Sequence, residues 1–219
     1  LGTFMPGSGR LTASVGAYAL LDIPAALTLL RTYPYGCTEQ LTSAAMPQLY
    51  VANLLPDNAP PMPGELPRGI DDAIEQILTR QTGSGGFGMW NAQYSEPWLD
   101  AYATDFLSRA RAAGHAVPDA NFRRALSNLQ NRLNAATDAQ YADQYEAASM
   151  AYAAYVLARE RAAVVSDLRY YADTGRDSFS TPMAAAQLGA ALAFLGDQPR
   201  ADRMFGHACP ARQFAGDKP

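Results

Sequence analysis

Runs of alanine interrupted by glycine and proline dominate this sequence and leave it few folds to choose from. Ala fills 42 of 219 positions, against 17 Gly and 15 Pro. Alanine is the strongest helix former and lets neighbouring helices approach closely, whereas Gly and Pro stop a helix. The expected fold is all-α. Asp22 and Pro24 open a helix that ends at Tyr33-Pro34, and Leu41, Ala44, Ala45, Leu49 and Ala52 recur at three and four. They predict a second helix from Cys37 or Thr38 to about Leu55, kinked at Pro47. Five prolines between Pro56 and Pro67 make that segment a loop. Ile70, Ala73, Ile74, Ile77 and Leu78 then predict a helix over about Arg68 to Thr82, followed by a forced turn at Gly83 to Gly88.

The remaining sequence is repetitive. Ala101 to Leu107 recurs loosely at Ala151 to Leu157, a shift of 50, and more weakly at Ala186 to Leu195. Between the first two lies an apolar face at Phe122, Leu126, Leu129 and Leu133. Helical hairpins at this spacing build an open solenoid or a closed α/α barrel, and the Gly-aromatic turn Gly85-Gly86-Phe87-Gly88-Met89-Trp90 favours the closed form. At the N-terminus, Leu11, Ala13 and Val15 alternate with Thr12 and Ser14 as in a β-strand, with nothing nearby to pair with it. Residues 1–16 therefore read as the tail of a preceding β domain and 17–219 as a helical domain, the whole an excised fragment.

A formal charge of −4 with 17 Lys+Arg and no basic run argues against a nucleic-acid partner. No apolar stretch reaches the roughly 20 residues of a membrane span, so direct membrane contact by this fragment is not expected.

The chemistry concentrates in Tyr33-Pro34-Tyr35-Gly36-Cys37-Thr38-Glu39-Gln40. If Cys37 opens a helix, Gln40 lies one turn later on the same face. Attack of the Cys37 thiolate on the Gln40 side-chain amide, with loss of ammonia, would close a thiolactone across three peptide units. Its acyl group is far more electrophilic than an amide, because a thiolate leaves more easily than an amide anion. Tyr33 and Tyr35 are placed to cover such a bond, and Gly36 lets the backbone turn close to the sulfur.

Other readings compete. Cys37 could instead pair with Cys209 in a disulfide, which would abolish the thioester. Glu39 reads as a first-turn acid complementing the helix dipole. Asp71-Asp72-Ala73-Ile74-Glu75 superficially resembles the acidic clusters that hold Mg²⁺ and diphosphate in α-helical terpene synthases, giving an alternative as a terpene cyclase or prenyltransferase-like enzyme. Acids opening a helix after Gly69 are equally what its dipole favours. Two His and two Cys at scattered spacing match no zinc pattern, so neither metal nor cofactor is expected. A plain helical-repeat interaction module is the third class.

The whole octet resembles the thioester motif of the α2-macroglobulin and complement superfamily, specifically its bacterial α2-macroglobulins, in which Tyr-Pro-Tyr-Gly-Cys-X-Glu-Gln is characteristic. Thr38 fills the variable place, with no chemical consequence expected. Pro6 to Thr12 resembles the strand leading into the thioester domain, and Gln81 to Trp90 the segment after its first helices. The resemblance implies that Cys37 and Gln40 form the thioester, that Tyr33 and Tyr35 shield it, and that the fold is an α/α toroid of helical hairpins. It also implies a single-use protease inhibitor rather than an enzyme. In such relatives a protease cuts a bait segment elsewhere, and the exposed thioester acylates that protease at lysine amines. Target proteases and neighbouring domains of the full-length protein are the implied partners. The implied location is the periplasm, as an inner-membrane-anchored lipoprotein acting in bacterial defence. Some complement members pass the acyl group to a downstream His. Neither His115, in a Gly-His-Ala-Val-Pro loop, nor His207, near the C-terminus, falls before the Met150 to Leu157 helix, so direct aminolysis is expected.

Overall fold

The computed structural model describes residues 36–50, 69–135, 143–174 and 178–209. Eight α-helices run in order through them: α1 (Thr38–Ala45), α2 (Ile70–Thr79), α3 (Pro97–Ala112), α4 (Asp119–Ala135), α5 (Gln144–Arg159), α6 (Val165–Thr174), α7 (Pro182–Phe194) and α8 (Gln198–Ala208). The all-α expectation holds: among the described residues β pairing is limited to isolated bridges, Gln81 with Phe87 and Gly88 with Ser95. No described helix is long and apolar enough to cross a membrane.

Local chemistry sets the helix ends. Glu96 caps α3 by accepting from the Trp98 N–H at 3.3 Å, with Pro97 in the first turn. Asp143 caps α5 through the Glu146 N–H at 2.8 Å, and Thr181 caps α7 through the Ala184 N–H at 3.1 Å. The helix expected to reach Leu55 is shorter. Pro47 has no N–H to return to the Ser43 carbonyl, so α1 stops at Ala45 and the chain tightens into a 3₁₀ turn over Met46–Tyr50. The helix expected over Arg68 to Thr82 is trimmed at both ends to Ile70–Thr79, with Gly69 as its N-cap. The N-terminal strand, the 16/17 domain boundary, the Asp22 helix and the proline loop at 56–67 lie outside the described residues.

The helices form two rows. In the first, α1 packs on α3, α3 on α5 and α5 on α7; each second-row helix packs on the first, α2 against α1, α4 against α3 and α5, and α6 and α8 against α7. The repeat shift of 50 is a physical register, since Tyr102 and Tyr152 come to lie side by side with centroids 6.4 Å apart. α1, α3 and α5 run parallel to one another. Ser43 meets Tyr102 and Tyr50 meets Arg109, so a step of seven on one segment matches a step of seven on α3. Alanine makes this spacing feasible: Ala101, Ala103, Ala151, Ala154, Ala185 and Ala191 are all fully or almost fully buried. One core, built on Ile74, Ile77, Phe87 and Phe106, lies under α1 to α4, and a second, built on Leu157, Leu168, Leu188 and Leu192, under α5 to α8.

At the far end of the rows, Arg169 on α6 and Arg200 on α8 both reach Asp197, at 2.7 and 3.0 Å, and Arg200 and Arg203 both reach Asp173 at 2.7 Å. Hydrogen bonds from Arg200 and Arg169 hold the Asp173 and Asp197 carboxyls, respectively, below their ordinary values. Folding thus favours the ionised forms, and what they contribute is intact above about pH 4 and lost as the pH falls towards the depressed values. Acid titration followed by circular dichroism should show helix loss beginning below about pH 4. Asp173→Asn should remove part of that dependence.

Candidate functional site

Cys37 is not inside α1 but is its N-cap, with extended backbone at φ −68° and ψ 165°. Its sulfur accepts from the Gln40 N–H at 3.4 Å, while the Gln40 side-chain oxygen Oε1 accepts from the Cys37 N–H at 3.2 Å. This is a capping box, with thiol and amide in the places usually held by Ser or Thr and Glu. The first turn of a helix leaves its N–H groups without partners, and here the two side chains supply acceptors to two of them. The octet spacing therefore brings Cys37 and Gln40 together as expected. Tyr33 and Tyr35, the expected shields, lie outside the described residues, and Gly36 directly precedes the cap.

Cys37 is buried at 5% exposure, and both Cys37 and Cys209 are free thiols, so they do not pair with each other. Cys209 is exposed just beyond α8.

Thr38, expected to have no consequence, fastens the site to the body. It is fully buried, its N–H donates to the Met89 carbonyl at 2.9 Å, and its hydroxyl reaches the carbonyls of Gly88 at 2.6 Å and Met89 at 3.2 Å. The Gly-aromatic turn is thus the surface on which the N-terminus of α1 rests. Arg80 adds a longer contact at 3.4 Å to the Thr38 hydroxyl and to Met89.

That turn is in turn fixed by Asp100 on α3, which is completely buried. One carboxylate oxygen accepts from the Phe87 N–H at 2.6 Å; the other accepts from Asn128 at 2.8 Å and from Arg132 Nε at 2.7 Å, both on α4. Burial pushes the Asp100 carboxyl above its ordinary value, against these hydrogen bonds and the Arg132 charge, which pull it down. Gly86 is required here, because a Cβ on it would stand 2.7 Å from both carboxylate oxygens. Gly85 is required for a different reason: its φ of +97° strains any side-chain-bearing residue, and a Cβ there would strike the Arg124 carbonyl.

Glu39 bonds along its own helix, accepting from Ser43 at 2.8 Å. Asp71 and Asp72 occupy the first turn of α2, and Asp71 lies 2.9 Å from His115 Nδ1 on the surface. No cluster of three or more His, Cys, Asp or Glu placed to hold a metal occurs among the described residues. His207 sits in the last turn of α8.

The sequence profile of the A-macroglobulin TED domain matches residues 13–129. The chain belongs to that family. The TED domain described here is 34% identical over 192 residues to the α2-macroglobulin of Escherichia coli K12, covering 83% of the chain and 12% of that protein. A crystal structure of native α2-macroglobulin from Escherichia coli, from domain MG7 to the C-terminus, superposes with a TM-score of 0.76 at 31% identity, over 90% of this chain and 32% of that one. Salmonella α2-macroglobulin reacted with methylamine superposes at 0.72 with 33% identity, over 87% and 13%. The chain thus spans about an eighth of the full-length relatives it matches.

Sequence reasoning missed Thr38, Asp100 and the Ser43–Tyr102 contact of the TED domain. Asp100 did carry a signal, an acid directly before the alanine-rich repeat that begins at Ala101. Thr38→Val keeps the shape but leaves the Gly88 carbonyl without its donor, and should cost about 1–2 kcal/mol in urea denaturation. Asp100→Ala leaves the Phe87 N–H, Asn128 and Arg132 without their acceptor and should cost about 3 kcal/mol by the same measurement.

Proposed function

We propose that Cys37 and Gln40 condense into an internal thioester, and that this domain is the acylating part of a bacterial α2-macroglobulin-type protease inhibitor. The reciprocal capping box carries the reading, because it holds a thiol against the side-chain amide that it would attack. In condensation the Cys37 sulfur bonds to the Gln40 side-chain carbon and the amide nitrogen leaves as ammonia, taking the thiol proton with it. The reaction of the Salmonella relative with methylamine supports the same chemistry here.

The cap also suits the reverse step. When an amine attacks, negative charge develops on the carbonyl oxygen, for which Gln40 Oε1 stands in this structure, and the Cys37 N–H already points to it. The sulfur then leaves as a thiolate at the positive end of α1, where the Gln40 N–H awaits it. No histidine relay is needed for an amine, so capture proceeds by direct aminolysis at lysines of the attacking protease.

In this reading Tyr33 and Tyr35 exclude water until bait cleavage elsewhere in the full-length molecule, and Gly36 allows their close approach. The two helix rows belong to a closed α/α toroid over 17–219, residues 1–16 end a preceding β domain, and the whole protein is a periplasmic lipoprotein held at the inner membrane. Each molecule acts once and is consumed, which distinguishes it from an enzyme.

Intact mass in denaturant should be about 17 Da below the encoded value, and methylamine should add about 31 Da while exposing one thiol. Cys37→Ala should abolish the deficit and all amine incorporation with the helical signal retained. Incorporation that persists in this variant sinks the proposal.

A further inference from the structure

Glu39 and Ser43 lie one turn apart on α1, where α1 meets α3. Ser43 Oγ donates to Glu39 Oε1 at 2.8 Å and stands 3.0 Å from the Tyr102 hydroxyl. A serine hydroxyl has one hydrogen, and that of Ser43 goes to the carboxylate, so Tyr102 is the donor to Ser43. The hydrogen bonds run one way, from Tyr102 through Ser43 to Glu39, and end on an anion that strengthens the chain. Tyr102 is held from behind, its ring 4.9 Å from Trp98 and 6.4 Å from Tyr152. Burial, then the charges of Glu39 and Asp105, outweigh the Ser43 hydrogen bond and raise the Tyr102 pKa, so the phenol stays a neutral donor at physiological pH.

Seven residues further along each segment, Arg109 Nη1 donates to the Tyr50 hydroxyl at 2.8 Å. Of these two attachments to α3, only the Ser43 contact lies within the helix whose first turn carries Cys37 and Gln40. The other anchor of α1, Thr38, grips its N-terminus from the Gly-aromatic turn. Leu41 and Ala45 seat α1 on the core by non-directional apolar packing, so Thr38 at its start and the Ser43 contact further on are the polar contacts that fix its rotation and register on the body.

We infer that Tyr102, Ser43 and Glu39 form a latch that positions α1 on α3 and thereby keeps the Cys37–Gln40 linkage in its water-excluding geometry, an inference that rests on the thioester reading above. They are positioning residues, since their side chains bond to one another and not to the Cys37 sulfur or the Gln40 amide. Breaking the latch speeds loss of the acyl linkage to water, in which the sulfur regains a proton and Gln40 becomes Glu.

The test follows the intact protein and its Tyr102→Phe, Ser43→Ala and Ser43→Thr variants at neutral pH by mass, from the ammonia-depleted form to the hydrolysed form about 1 Da above the encoded value. Tyr102→Phe and Ser43→Ala should hydrolyse about five- to tenfold faster than the parent, and Ser43→Thr, which restores a hydroxyl, within about twofold of it. Parental hydrolysis rates in Tyr102→Phe and Ser43→Ala, even with lowered urea midpoints, overturn the latch and assign these residues to fold stability alone. Should Ser43→Ala not fold, Tyr102→Phe decides, because it removes one oxygen and keeps the ring. A parent without the initial mass deficit overturns the thioester reading itself, which separates the two failures.

Discussion

The Asp100 carboxylate is the joint on which the N-terminal half of this domain is hung. It is buried without a solvent contact, yet it accepts from Phe87, Asn128 and Arg132 and so binds the Gly-aromatic turn to α3 and α4 at once. A buried charge is tolerable only when its lone pairs are filled, and three donors, one of them cationic, fill these. The turn then offers the Gly88 and Met89 carbonyls to Thr38. A chain of polar contacts therefore runs from the middle of the fold to the first turn of α1, where Cys37 and Gln40 meet. The stability of the body and the geometry of the site are the same interactions seen from two ends.

Close helix packing supplies what these hydrogen bonds need around them. Alanine at the contacts of α3, α5 and α7 brings backbones near enough that Tyr102, Tyr152, Tyr155 and Phe194 form a continuous row of rings, with successive centroids 6.4, 6.3 and 6.0 Å apart. Under this row Asp105 gathers Arg109, Arg159 and the Tyr152 hydroxyl. Burial and the Asp105 charge raise the Tyr152 pKa, so its phenol remains a neutral donor. Polar groups are thus placed between small-residue helices in a way that larger core side chains would prevent.

Much of this was legible in the sequence, and the limits have physical causes. Helical periodicity located the apolar faces of α2 and α4, and the internal shift of 50 related two helices, α3 and α5, whose equivalent Tyr102 and Tyr152 lie side by side in the structure. The spacing of Cys37 and Gln40 announced their encounter, because side chains three apart at a helix start share a face. Thr38 was invisible because its partner carbonyls lie 50 and 51 residues away, on a turn whose path no local pattern encodes. Asp100 carried only its place directly before a small-residue repeat, which does not say which groups it would bind. The apolar spacing carries α1 past Ala45 with a kink at Pro47, but the missing Pro47 N–H falls where a helix this short has too few further bonds to continue.

Placing the proposed reactive pair in a helix cap has a consequence for how such a domain would survive its own reaction. A helix N-terminus must satisfy its first N–H groups whatever else happens there. In the free-thiol state the sulfur and the Gln40 oxygen do so. In the proposed thioester the same sulfur and the same oxygen remain, now joined through carbon, and both still accept. After aminolysis in that proposal the departing sulfur takes up the proton released by the amine, and the new amide keeps its oxygen as an acceptor. On the proposed chemistry each of the three states therefore keeps acceptors at the first turn of α1. On that proposal the driving force for capture lies in the exchange of a thioester for an amide, and the fold's tasks are to hold the cap donors at the reacting groups and to decide when an amine is admitted.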